Sequence, residues 1–199
     1  MIELRAFRPG DEPALRAVFE SAIHATARRD HSQLQVDTWA PRFHDVDAWA
    51  RRMQAIAPFV ALVDGRIVGY ADLQASGDFD HFYVAAEAAG QGVGGMLMRR
   101  ILACADERGL AELTSHVSIT AQPFFAHFGF EVVEHRVFEV RGVEMRNAAM
   151  RKRLKSPRSR PAAPSPPGSA AGCSAARRRR RGRCLPRARP AWTPSRAAG

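Results

Sequence analysis

Cysteine is scarce in this chain, with Cys104, Cys173 and Cys184 as its three examples among 199 residues. None of them shows the paired spacing of a metal site, so the sequence predicts no bound metal. Apolar runs fall well short of the roughly 20 residues that a membrane-spanning helix needs. The first residues lack the apolar core of a signal peptide. These absences predict a protein of the reducing cytoplasm that does not enter a membrane.

Acidic residues are absent from residues 151–199, which carry 15 lysines and arginines. Residues 1–150 carry 15 arginines against 20 acidic residues, a net charge of −5. The formal charge of +10 for the whole chain therefore describes its tail, and it does not predict a nucleic-acid function for the protein as a whole.

Composition also changes after Leu154, where Pro, Ala, Ser, Gly and Arg dominate. Such a segment buries too little apolar surface to offset the entropy of ordering it. We therefore predict one folded domain over residues 1–154 and a disordered basic tail over residues 155–199. The tail is either an electrostatic arm for nucleic acid or anionic membrane, or an extension without a selected role.

Apolar periodicity within residues 1–154 predicts the order β-α-α-β-β-β-α-β-α-β-β. The dipeptides Asp64-Gly65 and Arg141-Gly142 separate pairs of apolar runs and indicate tight hairpins. A third strand of the middle group is expected over residues 79–84. The pattern predicts an α/β (α+β) domain in which a mixed, mainly antiparallel sheet of about seven strands is flanked by helices.

Four glycines occur in the six residues 90–95, between the apolar run 82–84 and an amphipathic segment over residues 96–108. A strand that ends in such a turn before a helix presents bare N–H groups and the positive end of the helix dipole, which suits phosphate. The spacing also fits a dinucleotide fingerprint, but that motif belongs to the first βαβ unit. A Walker-type loop is excluded because no Lys-Ser or Lys-Thr follows.

With its flanks, this stretch resembles the pyrophosphate loop of the GNAT superfamily of N-acetyltransferases, Gln/Arg-x-x-Gly-x-Gly/Ala, with Ala89 at the first position. The family pattern Asn-x-x-Ala-x-x-Phe-Tyr-x-x-x-Gly-Phe appears downstream over residues 118–130, with Ser118 and Phe125 replacing Asn and Tyr. The resemblance covers residues 2–154, agrees with the predicted fold, and extends to a bacterial subgroup whose substrates are undefined.

The resemblance implies acetyl-CoA as cosubstrate. Its pantetheine arm would add like a strand to residues 82–84, its pyrophosphate would rest on the N–H groups of residues 91–96, and Ser118 would stand where Asn often contacts CoA. The implied cofactor-binding residues are Phe82, Tyr83, Val84, Gln91, Gly92, Val93, Gly94, Gly95, Met96 and Ser118.

Asp78 and Asp80 are the candidate catalytic residues, since several GNAT members place their base or base-water relay at these two positions. Two residues apart on a strand, they are expected on one face, where each carboxylate raises the proton affinity of the other. Phe125 stands where many GNAT enzymes carry a Tyr that protonates the leaving thiolate. Water or another side chain must then serve, and the candidates are Tyr83, Ser118, Thr120 and His127.

The acceptor pocket of this family is partly built from the first two helices. His31, in a predicted break, and Trp39 are the predicted substrate contacts, with an exposed loop histidine and a core tryptophan as the alternatives. The sequence predicts an N-acetyltransferase that acts on a primary amine of a small molecule or protein by direct attack in a ternary complex. The alternatives are a CoA-binding sensor without turnover and a nucleic-acid-binding protein that uses its tail. The acceptor and the oligomeric state, a homodimer included, stay open.

Overall fold

The computed structural model describes residues 1–154, so the predicted tail lies outside the described residues. The predicted order of strands and helices is confirmed, with the second helical region divided into two helices. The elements are β1 (Ile2–Ala6), α1 (Glu12–Ser21), α2 (Gln33–Trp39), α3 (Val46–Ile56), β2 (Phe59–Val63), β3 (Arg66–Ala71), β4 (Phe82–Val84), α4 (Val93–Glu107), β5 (Glu112–Ser118), α5 (Gln122–His127), β6 (Glu131–Val140) and β7 (Val143–Arg153).

These seven strands form two antiparallel sheets, β1-β2-β3-β4 and β5-β7-β6. The sheets meet at one parallel bridge between Asp78 and Thr114. There the Phe79 amide donates to the Thr114 carbonyl at 3.1 Å, and the Thr114 amide donates to the Gly77 carbonyl at 3.1 Å. Beyond this joint β4 and β5 are edge strands that do not pair with each other, so a gap opens between the two sheets.

The first sheet carries helices on both faces because its buried side chains alternate with period two. On β3, Ala71 belongs to the apolar cluster that includes Leu97 and Ile101 of α4. Tyr70, the residue before it, belongs to the cluster that contains residues of α1 and α3, among them Leu15 and Met53. The sheet therefore separates two cores, and the end of β4 lies between them.

The two predicted hairpins are confirmed. Asp64 and Gly65 have φ of 50° and 78°, and Arg141 and Gly142 have φ of 51° and 79°. Positive φ at both central residues is the geometry of a type I′ turn, whose twist matches that of the flanking strands.

Candidate active site

The edge of β4 supplies the backbone part of the site. On its paired side, the Asp72 amide donates to the His81 carbonyl at 3.1 Å and the Ala85 amide donates to the Val68 carbonyl at 2.8 Å. Because successive residues of a strand direct their backbone groups to opposite sides, the amides and carbonyls of Phe82 and Val84 face the gap. Of the three residues predicted to hold pantetheine, these two have backbone groups available to an extended ligand, whereas Tyr83 directs its own toward β3.

The glycine-rich turn lies directly beyond this edge. Gly92 has φ of +87° and precedes the first residue of α4. The Met96 amide donates to the Gly92 carbonyl at 3.0 Å, and the Gln91 amide lies 3.4 Å from the Ala88 carbonyl. The amides at the start of a helix, here those of residues 92–95, have no intrahelical partner. The predicted row of donors from Gln91 to Met96 is therefore shorter, because its two ends already donate within the chain.

Close packing holds the start of α4 against the gap. A Cβ atom on Gly94 would lie 3.3 Å from the Phe124 ring of α5 and 3.8 Å from the Phe82 ring of β4. The absence of a side chain at Gly94 therefore lets the aromatic rings of α5 and β4 come close to the turn that presents the free amides.

Phe125 belongs to the core rather than to the open gap. Its side chain is 3% exposed, and its ring stacks on Phe79 with centroids 5.7 Å apart. Among the predicted substitutes for the missing tyrosine, Ser118 ends β5 and Thr120 has a buried hydroxyl without a hydrogen-bond partner among residues 1–154. Burial raises the pKa of the Tyr83 hydroxyl, so this group keeps its proton at neutral pH.

The predicted catalytic pair of Asp78 and Asp80 stays a prediction, and each carboxylate has separate hydrogen-bond partners. Asp78 accepts from Ser76 Oγ at 2.8 Å and from the Thr114 hydroxyl, so it closes the joint between the sheets. Asp80 pairs with Arg52 Nη2 at 3.0 Å and accepts from Gln74 Nε2 at 3.2 Å. The chain becomes a regular strand only at Phe82, so strand alternation does not govern the two aspartates.

Asp72, which the sequence reading missed, is the carboxylate next to Asp80. It follows β3 directly and is 0% exposed. Its Oδ1 accepts from the amides of Asp80 at 3.0 Å and His81 at 2.8 Å, while no donor in residues 1–154 reaches its Oδ2. Burial raises the pKa of Asp72 to about 6, against the backbone hydrogen bond from His81 and with a contribution from the charge of Asp80. The sequence feature that could have identified Asp72 is its position as an acidic residue within the otherwise apolar run 70–73.

This elevated pKa predicts a dependence of stability on pH. Between the unfolded value near 4 and the folded value of about 6, the folded state binds more protons, so stability falls as the pH rises through this window. Two pKa units correspond to about 3 kcal/mol. We expect Asp72→Asn to remove this loss, so that its unfolding free energy relative to wild type rises by about 3 kcal/mol from pH 4 to pH 7.5.

Denaturant unfolding at the two pH values measures this difference. Asp106→Asn on the exposed side of α4 is the matched control for the loss of one carboxylate. A pH-independent difference between Asp72→Asn and wild type would contradict the assignment.

His81 was also missed, although it lies at the start of β4. Its Nδ1 is 3.2 Å from the Tyr70 hydroxyl, and the rings of Tyr83 and Trp49 lie edge to face against it at 5.7 and 6.1 Å. Burial lowers the pKa of His81 to about 3, with a smaller contribution from the charge of Arg52. The imidazole is therefore neutral, and it does not balance the charge of the two nearby aspartates.

The predicted substrate contacts His31 and Trp39 pack edge to face with centroids 5.5 Å apart. His31 is 7% exposed rather than an exposed loop residue, its Nε2 has no partner within residues 1–154, and burial lowers its pKa. Trp39 also interacts with the Tyr83 hydroxyl. The three side chains connect the helical layer to β4.

His116 lies on β5, in the second sheet. Its Nε2 is 2.7 Å from Arg136 Nη1. A guanidinium only donates, so Nε2 accepts and Nδ1 carries the proton. Burial and the charge of Arg136 lower the pKa of His116, while the charges of Asp80 and Asp78 oppose this. The second sheet therefore brings an imidazole and a guanidinium toward the two aspartates.

Residues 1–154 contain no group of three or more His, Cys, Asp or Glu side chains arranged to hold a metal ion. Their helices include none that is long and apolar enough to cross a membrane.

Comparisons with known proteins agree with this geometry. Residues 27–154 match the family model described as an acetyltransferase (GNAT) domain. The chain is 31% identical over 150 residues to the uncharacterized N-acetyltransferase YafP of Escherichia coli K12. The aligned residues cover 75% of this chain and 95% of that relative.

Solved structures show the same fold. A GCN5-related N-acetyltransferase of Rhodopseudomonas palustris is 29% identical with a TM-score of 0.73, over 76% of this chain and 95% of its own. YncA of Salmonella typhimurium, a putative acetyltransferase solved with its cofactor acetyl-CoA, is 20% identical with a TM-score of 0.58, over 78% of this chain and 95% of its own. PaiA N-acetyltransferase of Thermoplasma acidophilum, solved with coenzyme A, is 16% identical with a TM-score of 0.57, over 77% of this chain and 99% of its own.

Proposed function

This chain belongs to the GNAT acetyltransferase family, and we propose that it transfers the acetyl group of acetyl-CoA to a primary amine by direct attack in a ternary complex. The observation that carries the proposal is the open edge of β4 followed by the free amides of residues 92–95. An edge strand pairs with an extended ligand through its backbone, and a helix start holds phosphate. We assign this activity to residues 1–154.

Within this proposal, the backbone of Phe82 and Val84 binds the pantetheine arm, and the amides of residues 92–95 bind the pyrophosphate. Acetyl-CoA supplies an activated acyl group as a thioester. A backbone amide at the β4 edge is placed to stabilise the oxyanion that develops on the thioester carbonyl. Ser118, at the end of β5 on the other side of the gap, is the proposed side-chain contact to the cosubstrate.

Asp80 is the proposed acceptor-binding residue. It is 31% exposed, lies beside the start of β4, and carries a charge opposite to that of an ammonium ion. The bound ammonium must lose a proton before its nitrogen attacks the thioester carbonyl, and Asp80 takes this proton directly or through a water. His31 and Trp39 are proposed to form the wall behind the acceptor. Asp78 fits a structural part better, since its carboxylate is already used at the joint between the sheets.

Direct attack is favoured over an acyl-enzyme because of where cysteine lies. Cys104 is the cysteine of residues 1–154, and it is buried within α4. Phe125 has no hydroxyl, so we propose that the leaving thiolate is protonated by water or by a hydroxyl group of Ser118 or Thr120.

A thermal-shift titration of the full-length chain with acetyl-CoA, followed by an assay of CoA release with a panel of amines, tests the function. The panel is ethylamine, tyramine, spermidine, L-lysine and a peptide with a free N-terminus. We expect Asp80→Asn to lower kcat/KM for the amine by about 100-fold while the acetyl-CoA shift stays unchanged, since a positioned carboxylate contributes about this much to proton transfer.

Asp106→Asn is the control for the loss of one carboxylate, because this residue is exposed on α4. A folded wild type without an acetyl-CoA shift would reject the function. A shift without CoA release from any amine would favour the non-catalytic sensor instead, which is the candidate that the buried Phe125 supports.

A further inference from the structure

The strongest unexplained feature of the chain is the buried carboxylate of Asp72. A carboxylate removed from water is costly unless donors reach both of its oxygens. Asp72 satisfies Oδ1 with two backbone amides, and its carboxylate also interacts with the Gln74 carboxamide, but within residues 1–154 Oδ2 lacks a hydrogen bond of normal geometry. An asparagine could accept from the same two amides without placing a charge in the core, so a purely structural account leaves the charge unexplained.

Asp72 and Asp80 are closely linked. The Asp80 amide donates to Asp72 Oδ1 at 3.0 Å. Gln74 donates from Nε2 to Asp80 Oδ2 at 3.2 Å and also interacts with the Asp72 carboxylate. The two carboxyl groups therefore share a backbone link and a common carboxamide neighbour, which the predicted pair of Asp78 and Asp80 lacks.

The charges around this pair do not balance. From α3, Arg52 contributes one guanidinium, and it pairs with Asp80. From β3, Tyr70 contributes a hydroxyl whose pKa is raised by burial. From β4, His81 is neutral and Tyr83 keeps its proton. From the second sheet, Arg136 contacts the neutral His116, which senses the charges of Asp80 and Asp78. The carboxylates of Asp72, Asp78 and Asp80 against the guanidiniums of Arg52 and Arg136 leave about one uncompensated negative charge, which attracts a cation.

We propose that Asp72 is a positioning residue for the acceptor ammonium: it fixes the start of β4 through two backbone amides and places a second, buried negative charge behind Asp80. This inference rests on the proposed function. Asp80 meets the ammonium at the surface, and Asp72 strengthens the local field while setting where the Asp80 side chain begins. The residue that acts with Asp80 is therefore Asp72, which directly follows β3 and lies eight positions earlier in the chain, and not Asp78.

The test compares full-length wild type with Asp72→Asn, Asp78→Asn and the control Asp106→Asn. Asparagine keeps an oxygen for the two backbone amides, so an acetyl-CoA thermal shift should show that Asp72→Asn folds and binds the cosubstrate. CoA release with the amine panel is then measured from pH 5 to pH 9. We expect kcat/KM for the amine to fall by at least about 10-fold in Asp72→Asn, because the two amide hydrogen bonds remain while the buried negative charge behind Asp80 is lost.

The pH profile separates positioning from a structural part. Wild type should show a step in log kcat/KM near pH 6 that Asp72→Asn lacks and Asp78→Asn retains. If Asp72→Asn keeps both the rate and the step, the inference is wrong and the proposed function stands. If wild type binds acetyl-CoA and releases no CoA with any amine, the proposed function itself fails, and the inference fails with it.

A second measurement requires neither an acceptor amine nor an active variant. The carboxyl carbon of Asp72 in ¹³C-aspartate-labelled wild type, identified by its absence from Asp72→Asn, should titrate near pH 6. A midpoint at the ordinary carboxyl value near 4 would overturn the inference.

Discussion

Gly92→Glu abolishes the stabilisation of the full-length chain by acetyl-CoA. At 100-fold excess over its dissociation constant, a ligand stabilises the folded state by about 2.7 kcal/mol, which raises the melting temperature of wild type by roughly 5–10 °C. A glutamate at Gly92 adds a side chain and a negative charge beside the free amides of residues 92–95. Both oppose a bound pyrophosphate, so we expect the shift to vanish and the dissociation constant to rise by more than about 100-fold.

Gly109→Glu is the matched control. Gly92 and Gly109 have positive φ, +87° and +65°, and neither would bring a Cβ atom closer than 3.9 Å to another part of the protein. They lie at opposite ends of α4, so the backbone strain is similar, whereas the helix dipole favours a glutamate at Gly92 and disfavours one at Gly109. Gly92→Glu should therefore be the more stable of the two variants, which makes unfolding a poor explanation for a lost shift. Acetyl-CoA binding that survives in Gly92→Glu would place the pyrophosphate elsewhere.

Phe125→Ala lowers the unfolding free energy of the protein by about 4 kcal/mol, the usual cost of truncating a buried phenylalanine. Phe125 packs against four other rings, with centroids at 5.7 Å from Phe79, 5.6 Å from Phe82, 5.9 Å from Phe124 and 5.3 Å from Phe130. These rings connect the joint between the two sheets with the edge of β4, α5 and the start of β6. A cavity here removes contacts from both sheets at once.

Denaturant unfolding measures this loss. Phe43→Ala is the control, because Phe43 is 95% exposed and its truncation should change the unfolding free energy by less than about 0.5 kcal/mol. A loss below about 1 kcal/mol for Phe125→Ala would show that the ring is not part of the core. Phe125 would then be a candidate for a side chain that acts in the gap.

Local patterns in the sequence were sufficient for the elements that depend on local chemistry. The Asp64-Gly65 and Arg141-Gly142 turns need residues that accept positive φ, and these dipeptides are visible without any tertiary information. The turn over residues 90–95 was found for the same reason, together with the apolar strand before it. The GNAT resemblance joined these pieces in the correct order.

Contacts between distant segments decided what the sequence did not reveal. Arg52 on α3 reaches Asp80 at the start of β4, 28 positions away, and nothing in the local pattern of either segment indicates the other. Asp78 looked like a partner of Asp80 because strand periodicity was applied to both. The bridge to Thr114 takes Asp78 into the joint between the sheets instead.

The sequence by itself determined the strand and helix order, the tight turns and the family, because each of these follows from residue types at fixed local spacing. Only the tertiary structure decided which carboxylates share a site and how many N–H groups remain free. Asp72 acquires its raised pKa from burial and from its place beside Asp80, and burial is a property of the packed chain. The N–H groups that remain free are those of residues 92–95, because the Gln91 and Met96 amides donate to carbonyls once the turn and the helix have formed.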